Sequence, residues 1–285
     1  MNGDPSTPYS RDLGDQLRTI REVFTTFSAR RMARMLGWDH SKVTRIENGQ
    51  VRATEIDVVQ YLGRCGRTQQ FIEGFLGLYR SAFDKYYVQT PENLRTIALS
   101  EAQATKIKTI DPATIPGLLQ TEDYARALFV EGGCVPAERI EINVEARMAR
   151  QAILRRPNRP DYTCYIHENA LRLRIGDALV MEEQYYRLLF QTHSIRIIPE
   201  SSGSAGVVSS YYALWEFEKQ ASVAVMESEL AQVFIQDDLG VQRCKAIFNQ
   251  MDQVAWSEEE SRSTLADLAS RARENLTNVT RIHLA

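Results

Sequence analysis

The chain has 285 residues, 44% of them hydrophobic and 25% charged, with a formal net charge of -3. That length suits two domains better than one core, and the composition excludes wholesale disorder. No run approaches the ~20 apolar residues of a membrane span, and the start, MNGDPSTPYSRDLGD, lacks the basic-then-apolar order of a secretion signal. A cytoplasmic location is therefore expected.

The overall charge hides an asymmetry. Residues 1–80 hold 12 Lys/Arg against 9 Asp/Glu, and the remainder holds 22 against 28. Within 28–52 stand Arg30, Arg31, Arg34, Lys42, Arg45 and Arg52 against only Asp39 and Glu47. A basic footprint on an acidic body is the charge pattern of a nucleic-acid-binding head.

In chain order, Leu13, Leu17, Ile20, Val23 and Phe24 recur at intervals of three and four and predict a first amphipathic helix. Ser28 is placed to cap a second helix, with Phe27 stapled against Met32. Gly37 supplies the positive φ that ends that helix, and Asp39 caps a third while Trp38 packs on Val43. Counted from Ala29, the small Ala33, the turn residue Gly37 and the apolar Val43 and Ile46 fall at the fifth, ninth, fifteenth and eighteenth positions. This is the spacing of a helix-turn-helix. Gly49 closes the third helix, and a Thr54/Asp57 pair opens a fourth with Ile56, Val59 and Leu62 inward.

With Val43 and Ile46 buried, the third helix presents His40, Ser41, Lys42, Thr44 and Arg45 outward. These are hydrogen-bonding groups suited to base edges and phosphates. Lys42 and Arg45 are expected to contact bases directly, with Ser41 and Thr44 in support. Arg30, Arg31 and Arg34 on the second helix are expected to position the head on backbone phosphate.

The segment SKVTRIENG, preceded by LGWDH and RDLGDQLRTIRE, resembles the lambda-repressor-like, xenobiotic-response-element (XRE) family of regulators, in wording typical of actinobacterial members. IPGLLQTEDYARAL (115–128), EARMARQAILRRP (145–157), HENALRLRIG (167–176) and VMEEQ (180–184) resemble the DUF5753 domain often fused to such heads and described as antitoxin-like. The resemblance implies a lambda-repressor-like head and a small protein partner encoded by a neighbouring gene. Two positions depart from the family pattern: Ala53 stands where proline is common, and Ala29 lies where a DNA-facing polar group such as glutamine is common.

The expected organisation is a mainly α helix-turn-helix domain at 1–66, a connecting helix and linker at 67–93, and a larger α+β domain at 94–285 with a mostly antiparallel sheet. Residues 67–88 read as a helix leading away from the head with Phe71, Phe75, Leu78 and Tyr79 on one side, and TPENL (90–94) as the linker. Helices follow near 119–131 and 137–155, the second ended by Pro157 and Pro160. Strand-like runs at 162–166, 195–198, 211–217 and 222–226 are interrupted by a helix near 180–192. Two helices, 239–253 and one opened by Ser257 with Glu260, finish the chain. Thr121 is read as the cap of the helix after GLLQ, with Glu122 and Asp123 in its first turn.

Asp161, His167 and Glu168 fit no metal-ligand spacing, so no catalytic residue, metal or cofactor is assigned. Cys65, Cys134, Cys164 and Cys244 are scattered, without a C-x-x-C pair, and read as reduced core thiols. Tyr162, Tyr165, Tyr185, Tyr186, Tyr211, Tyr212 and Trp215 leave two readings open, a small-molecule pocket or ordinary packing. The function expected is that of a homodimeric, double-stranded-DNA-binding transcription regulator whose larger domain serves dimerisation or a protein partner. The alternatives are an antitoxin that sequesters that partner, and a small-molecule-responsive regulator.

Overall fold

In the computed structural model, residues 6–90 and 94–283 are described. The chain divides into two compact units, one of residues 1–100 with 233–237 and one of 101–232 with 238–285. The expected linker at 90–94 lies largely outside the described residues.

The first unit contains α1 (Pro8–Phe24), α2 (Ala29–Leu36), α3 (His40–Glu47), α4 (Glu55–Arg64), α5 (Gln69–Arg80) and β1 (Tyr86–Gln89), followed by α6 (Leu94–Gln103), within which the division falls. α1 begins earlier than its apolar stripe, because Thr7 forms a capping box with Ser10 and Pro8 occupies the first turn. Ser28, Asp39 and Thr54 cap the next three helices as expected. Gly37 (φ 69°) and Gly49 (φ 61°) adopt the left-handed conformation at the ends of α2 and α3.

Leu13, Leu17, Met32, Ala33, Val43, Ile46, Val58, Tyr61 and Leu62 form the core of this unit, with Phe75, Leu76, Tyr79, Ala82 and Phe83. The stretch from 67 therefore does not lead away as a long connecting helix. Its helix ends at Arg80, its buried face completes the head, and 86–89 is a strand.

Two expected stripes shift. Ile56 and Val59 are exposed, and α4 buries Val58, Tyr61 and Leu62 instead. Both sets have helical spacing. Tyr61 decides between them, since its hydroxyl finds Glu47 Oε1 at 2.6 Å inside the head. Val23 and Phe24 also stay at the surface, where the Arg67 guanidinium stacks over the Phe24 ring at 3.6 Å. Phe71 and Leu78 are likewise exposed.

The second unit runs through β2 (Lys106–Asp111), α7 (Glu122–Gly132), α8 (Ile140–Arg150), β3 (Asp161–His167), α9 (Glu168–Arg172), α10 (Ala178–Leu189), β4 (Ile195–Ile198), β5 (Tyr211–Glu216) and β6 (Val223–Glu227). After β7 (Gln232–Ile235), most of which belongs to the first unit, come α11 (Asp238–Val254) and α12 (Glu258–His283).

The unit has the expected α+β class. Its strands lie in the order β6-β5-β2-β3-β4, antiparallel where β2, β5 and β6 meet and parallel from β2 through β3 to β4. The parallel pairs follow from helical crossovers, α7 and α8 before β3, then α9 and α10 before β4. α12 packs along α10, and α11 packs on β5 and β6.

Cys65, Cys164 and Cys244 are buried thiols, pushed up by burial to about 11, 12 and 12 respectively. Cys134 departs from the core reading and is exposed just beyond α7.

Candidate nucleic-acid interface

The position of α3 is set by a buried ion pair. Arg21 of α1 donates through Nε and Nη2 to the two carboxylate oxygens of Glu47 at 2.7 and 2.8 Å, with side chains only 7% and 4% exposed. The bond to Glu47 holds the Arg21 guanidinium above its ordinary value. Arg21 Nη1 also donates to the Phe27 carbonyl at 2.9 Å, fixing the α1–α2 connection. Tyr61 brings α4 onto the same carboxylate. This network immobilises the far end of α3 in the core.

At its other end, α3 starts on the Asp39 carboxylate, which accepts from the Ser41 amide at 2.8 Å. The Ser41 hydroxyl, and then that amide, hold this carboxyl below the usual range. From that cap His40, Ser41, Thr44 and Arg45 project to solvent. The Arg45 side chain bends toward the Ser41 carbonyl and hydroxyl at 3.4 and 3.5 Å, bonds long enough to exchange for a ligand.

On α2, Arg30, Arg31 and Arg34 are all exposed. Arg31 lies over the Phe27 ring at 4.7 Å. Arg30 and Arg34 lie one helical turn apart on the exposed side of α2.

Lys42 has partners within the head itself. Its Nζ donates to Asp57 Oδ1 of α4 at 2.7 Å and sits 4.2 Å from the centre of the Trp38 ring. This bond staples α3 to α4. Trp38 serves as the platform for this cation beside its place against the core. Burial alone would raise Asp57, but the bonds from Lys42 and Thr54 outweigh it and leave this carboxyl below its ordinary value. A group lowered in this way stabilises the fold above the ordinary carboxylate range, and the contribution is lost as pH falls through the folded-state value. Asp57→Asn should therefore flatten part of the head's acid destabilisation below about pH 4, as read by thermal unfolding across a pH series.

The departure at position 53 has a visible use. The Ala53 amide donates to the Tyr79 hydroxyl at 2.8 Å, a bond that proline could not make. Arg52 donates to the Arg80 carbonyl at 3.1 Å, and Arg80 pairs with Glu55 through Nε at 2.9 Å.

In the second unit, the 115–121 segment is a held turn. Gln120 Nε2 donates to the Ile115 carbonyl, Gln151 Nε2 to the carbonyls of Gly117 and Gln120, and Gln184 Nε2 to that of Leu119. Thr121 caps α7, as its sequence suggested. Asp161 and His167 stand at opposite ends of β3, His167 caps α9, and Glu168 pairs with Arg172. Among the described residues no group of three or more His, Cys, Asp or Glu is arranged to hold a metal ion. The aromatic residues do not converge on one pocket either. Tyr162, Tyr211 and Trp215 share one sheet face by strand alternation, Tyr165 and Tyr212 the other, and Tyr185 and Tyr186 lie on α10.

The capped helix pair, its left-handed Gly37 turn and its polar outer face define a helix-turn-helix domain, and a helix-turn-helix family model matches residues 12–71. The chain belongs to the family whose domain of unknown function, DUF5753, matches residues 94–267. Neither a curated protein nor a solved structure matches the chain. Among the described residues no helix is long and apolar enough to cross a membrane.

Proposed function

We propose that the chain is a cytoplasmic transcription regulator of the XRE type that binds double-stranded DNA sequence-specifically as a homodimer. α3 enters the major groove, Arg45 reads a base with support from Ser41 and Thr44, and His40 lies beside them. Arg30, Arg31 and Arg34 grip phosphate, and the larger domain serves dimerisation or a small protein partner. The observation that carries this reading is a short polar helix face, open to solvent, on a helix locked into the core by Arg21, Glu47 and Tyr61. One such face spans only a few base pairs, so two heads on half-sites about one helical turn apart would supply the specificity.

Fluorescence anisotropy with the DNA upstream of the chain's own gene, against scrambled DNA at two salt concentrations, tests it. Arg45→Ala should cost about 1–3 kcal/mol on the specific site only. Arg30→Ala and Arg34→Ala should weaken binding to both DNAs alike and reduce the salt slope by about 1 each. Lys42→Ala, which breaks a partly exposed staple, should change affinity by no more than about 1 kcal/mol. Equal losses from Arg45→Ala on both DNAs would overturn the assignment of the reading face, and light scattering that finds only monomer on the operator would overturn the dimer.

A further inference from the structure

The second unit leaves one helix face bare. α10 buries Met181, Gln184, Tyr185 and Leu188 and has α12 packed along it. On its opposite face, at spacings of four, three and four, stand Leu179, Glu183, Tyr186 and Phe190, all exposed. Phe190, the residue that ends the helix, keeps right-handed helical backbone and so continues the stripe. Leu179, Tyr186 and Phe190 are 59%, 37% and 81% exposed. Apolar residues scattered singly over a surface need no partner, but three aligned on one narrow helical stripe make a contact surface.

The order of residues along the stripe points to its occupant. The midpoint lies between Gln184 and Tyr185. Leu179 and Phe190 are equally far from it on either side, and so are Glu183 and Tyr186. A second α10 laid antiparallel about a two-fold axis through that point sets Leu179 against Phe190 of the partner subunit, twice, and Glu183 against Tyr186 of the partner subunit, twice. Each apolar end meets an apolar end, and each carboxylate meets a hydroxyl that can donate to it. A partner of different sequence makes no use of this symmetry.

Charge agrees with the same pairing. Glu183 and Arg187 are four apart, a spacing at which they could pair within the helix. Arg187 instead donates through Nη2 to Gln151 Oε1 at 3.1 Å, and its Nε is buried with no acceptor among the described residues. Glu183 is exposed and has no cation in ion-pair contact among the described residues. Both lie toward the same flank of the stripe, and in an antiparallel two-fold pair like flanks meet. Glu183 of each copy therefore falls beside Arg187 of the partner subunit.

We propose that the α10 stripe is the surface on which two copies of this chain dimerise, Leu179 against Phe190 and Glu183 against Tyr186 and Arg187, across a two-fold axis at the middle of the helix. This rests on the homodimer reading above and assigns it a surface.

Light scattering of the full chain over a concentration series, without DNA, gives the dimer dissociation constant. Leu179→Ser and Phe190→Ser replace exposed side chains, leave the buried face of α10 alone, and should each raise that constant by about tenfold or more. Glu183→Arg should raise it by about tenfold at low salt and by less at high salt, because its repulsion from Arg187 is screened. Near-UV circular dichroism checks the fold of each variant. Register is read by cross-linking in a Cys134→Ser background, since Cys134 is exposed. Two copies of Tyr186→Cys lie about 4.5 Å apart along the helix axis, and two copies of Phe190→Cys about 16.5 Å. A short bismaleimide should therefore join Tyr186→Cys to itself, and Leu179→Cys to Phe190→Cys in a mixture but neither of these to itself, at concentrations that keep the dimer. Unchanged dimerisation in a folded Phe190→Ser variant, or no joining of Tyr186→Cys in a dimeric chain, would overturn the proposal and hand the stripe to a different protein, with the homodimer intact. A parent chain that stays monomeric across the series would overturn this surface and the DNA-independent homodimer together.

Discussion

Glu47→Ala is expected to destabilise the head by about 3–5 kcal/mol, because it leaves the Arg21 guanidinium buried without its counter-charge. Arg21 loses both carboxylate bonds, Tyr61 loses its acceptor, and the nearby Arg18, whose Nε lies 3.8 Å from the same carboxylate, loses its attraction. Three helices meet at that one side chain, so the loss should spread through α1, α3 and α4 together. Native-state hydrogen exchange mapped on peptides from those helices would register it as a joint fall in protection. Glu47→Gln keeps an acceptor and should lose less. Glu22→Ala removes a partner of Arg21 that is 59% exposed and should cost about 1 kcal/mol or less. Protection in Glu47→Ala within about 1 kcal/mol of the parent would show that the pair is dispensable.

Gly49→Ala is expected to cost about 2–5 kcal/mol, from two causes that act together. The left-handed backbone at φ 61° penalises any Cβ by about 1–2 kcal/mol. The new carbon would also lie 2.3 Å from the Ser10 carbonyl oxygen and 2.5 Å from the Arg11 nitrogen. Those are backbone atoms of α1 and cannot swing aside, so overpacking adds about 1–3 kcal/mol. The Ser10 hydroxyl bond to the Gly49 carbonyl, 2.8 Å, would be strained at the same time. Gly63→Ala is the matched control. Its added carbon meets nothing within 4 Å on α4, and it should leave stability unchanged or raise it by about 0.4–1 kcal/mol. Urea unfolding of both variants checks the contrast, and similar effects from the two would contradict it.

Much of the head could be read before any coordinates. Ser28, Asp39 and Thr54 are short polar side chains placed just before apolar periodic runs, and each caps its helix. Their local hydrogen bonds need nothing from the rest of the chain. Lys42 illustrates the opposite case. Its place on the outer arc of α3 was readable, but its engagement depends on Asp57, fifteen residues away, and on the tilt of the Trp38 ring. The second unit was legible in part. The apolar runs at β3, β4, β5 and β6 stand out, whereas β2 (KIKTID) carries two lysines and an aspartate and passes for a polar turn. It lies between β5 and β3, with Ile107, Thr109 and Ile110 buried.

What the sequence by itself determined was therefore local: the caps, the Gly37 and Gly49 turns, the spacing of Ala33, Val43 and Ile46, and from these the helix-turn-helix. Those features are governed by interactions within a few residues, which chain order states directly. The tertiary structure alone decided which of two apolar stripes α4 buries, that α5 completes the head, and that Lys42 is bound back to Asp57. Each of these is set by burial and by partners distant along the chain, where several locally acceptable arrangements exist and packing selects one.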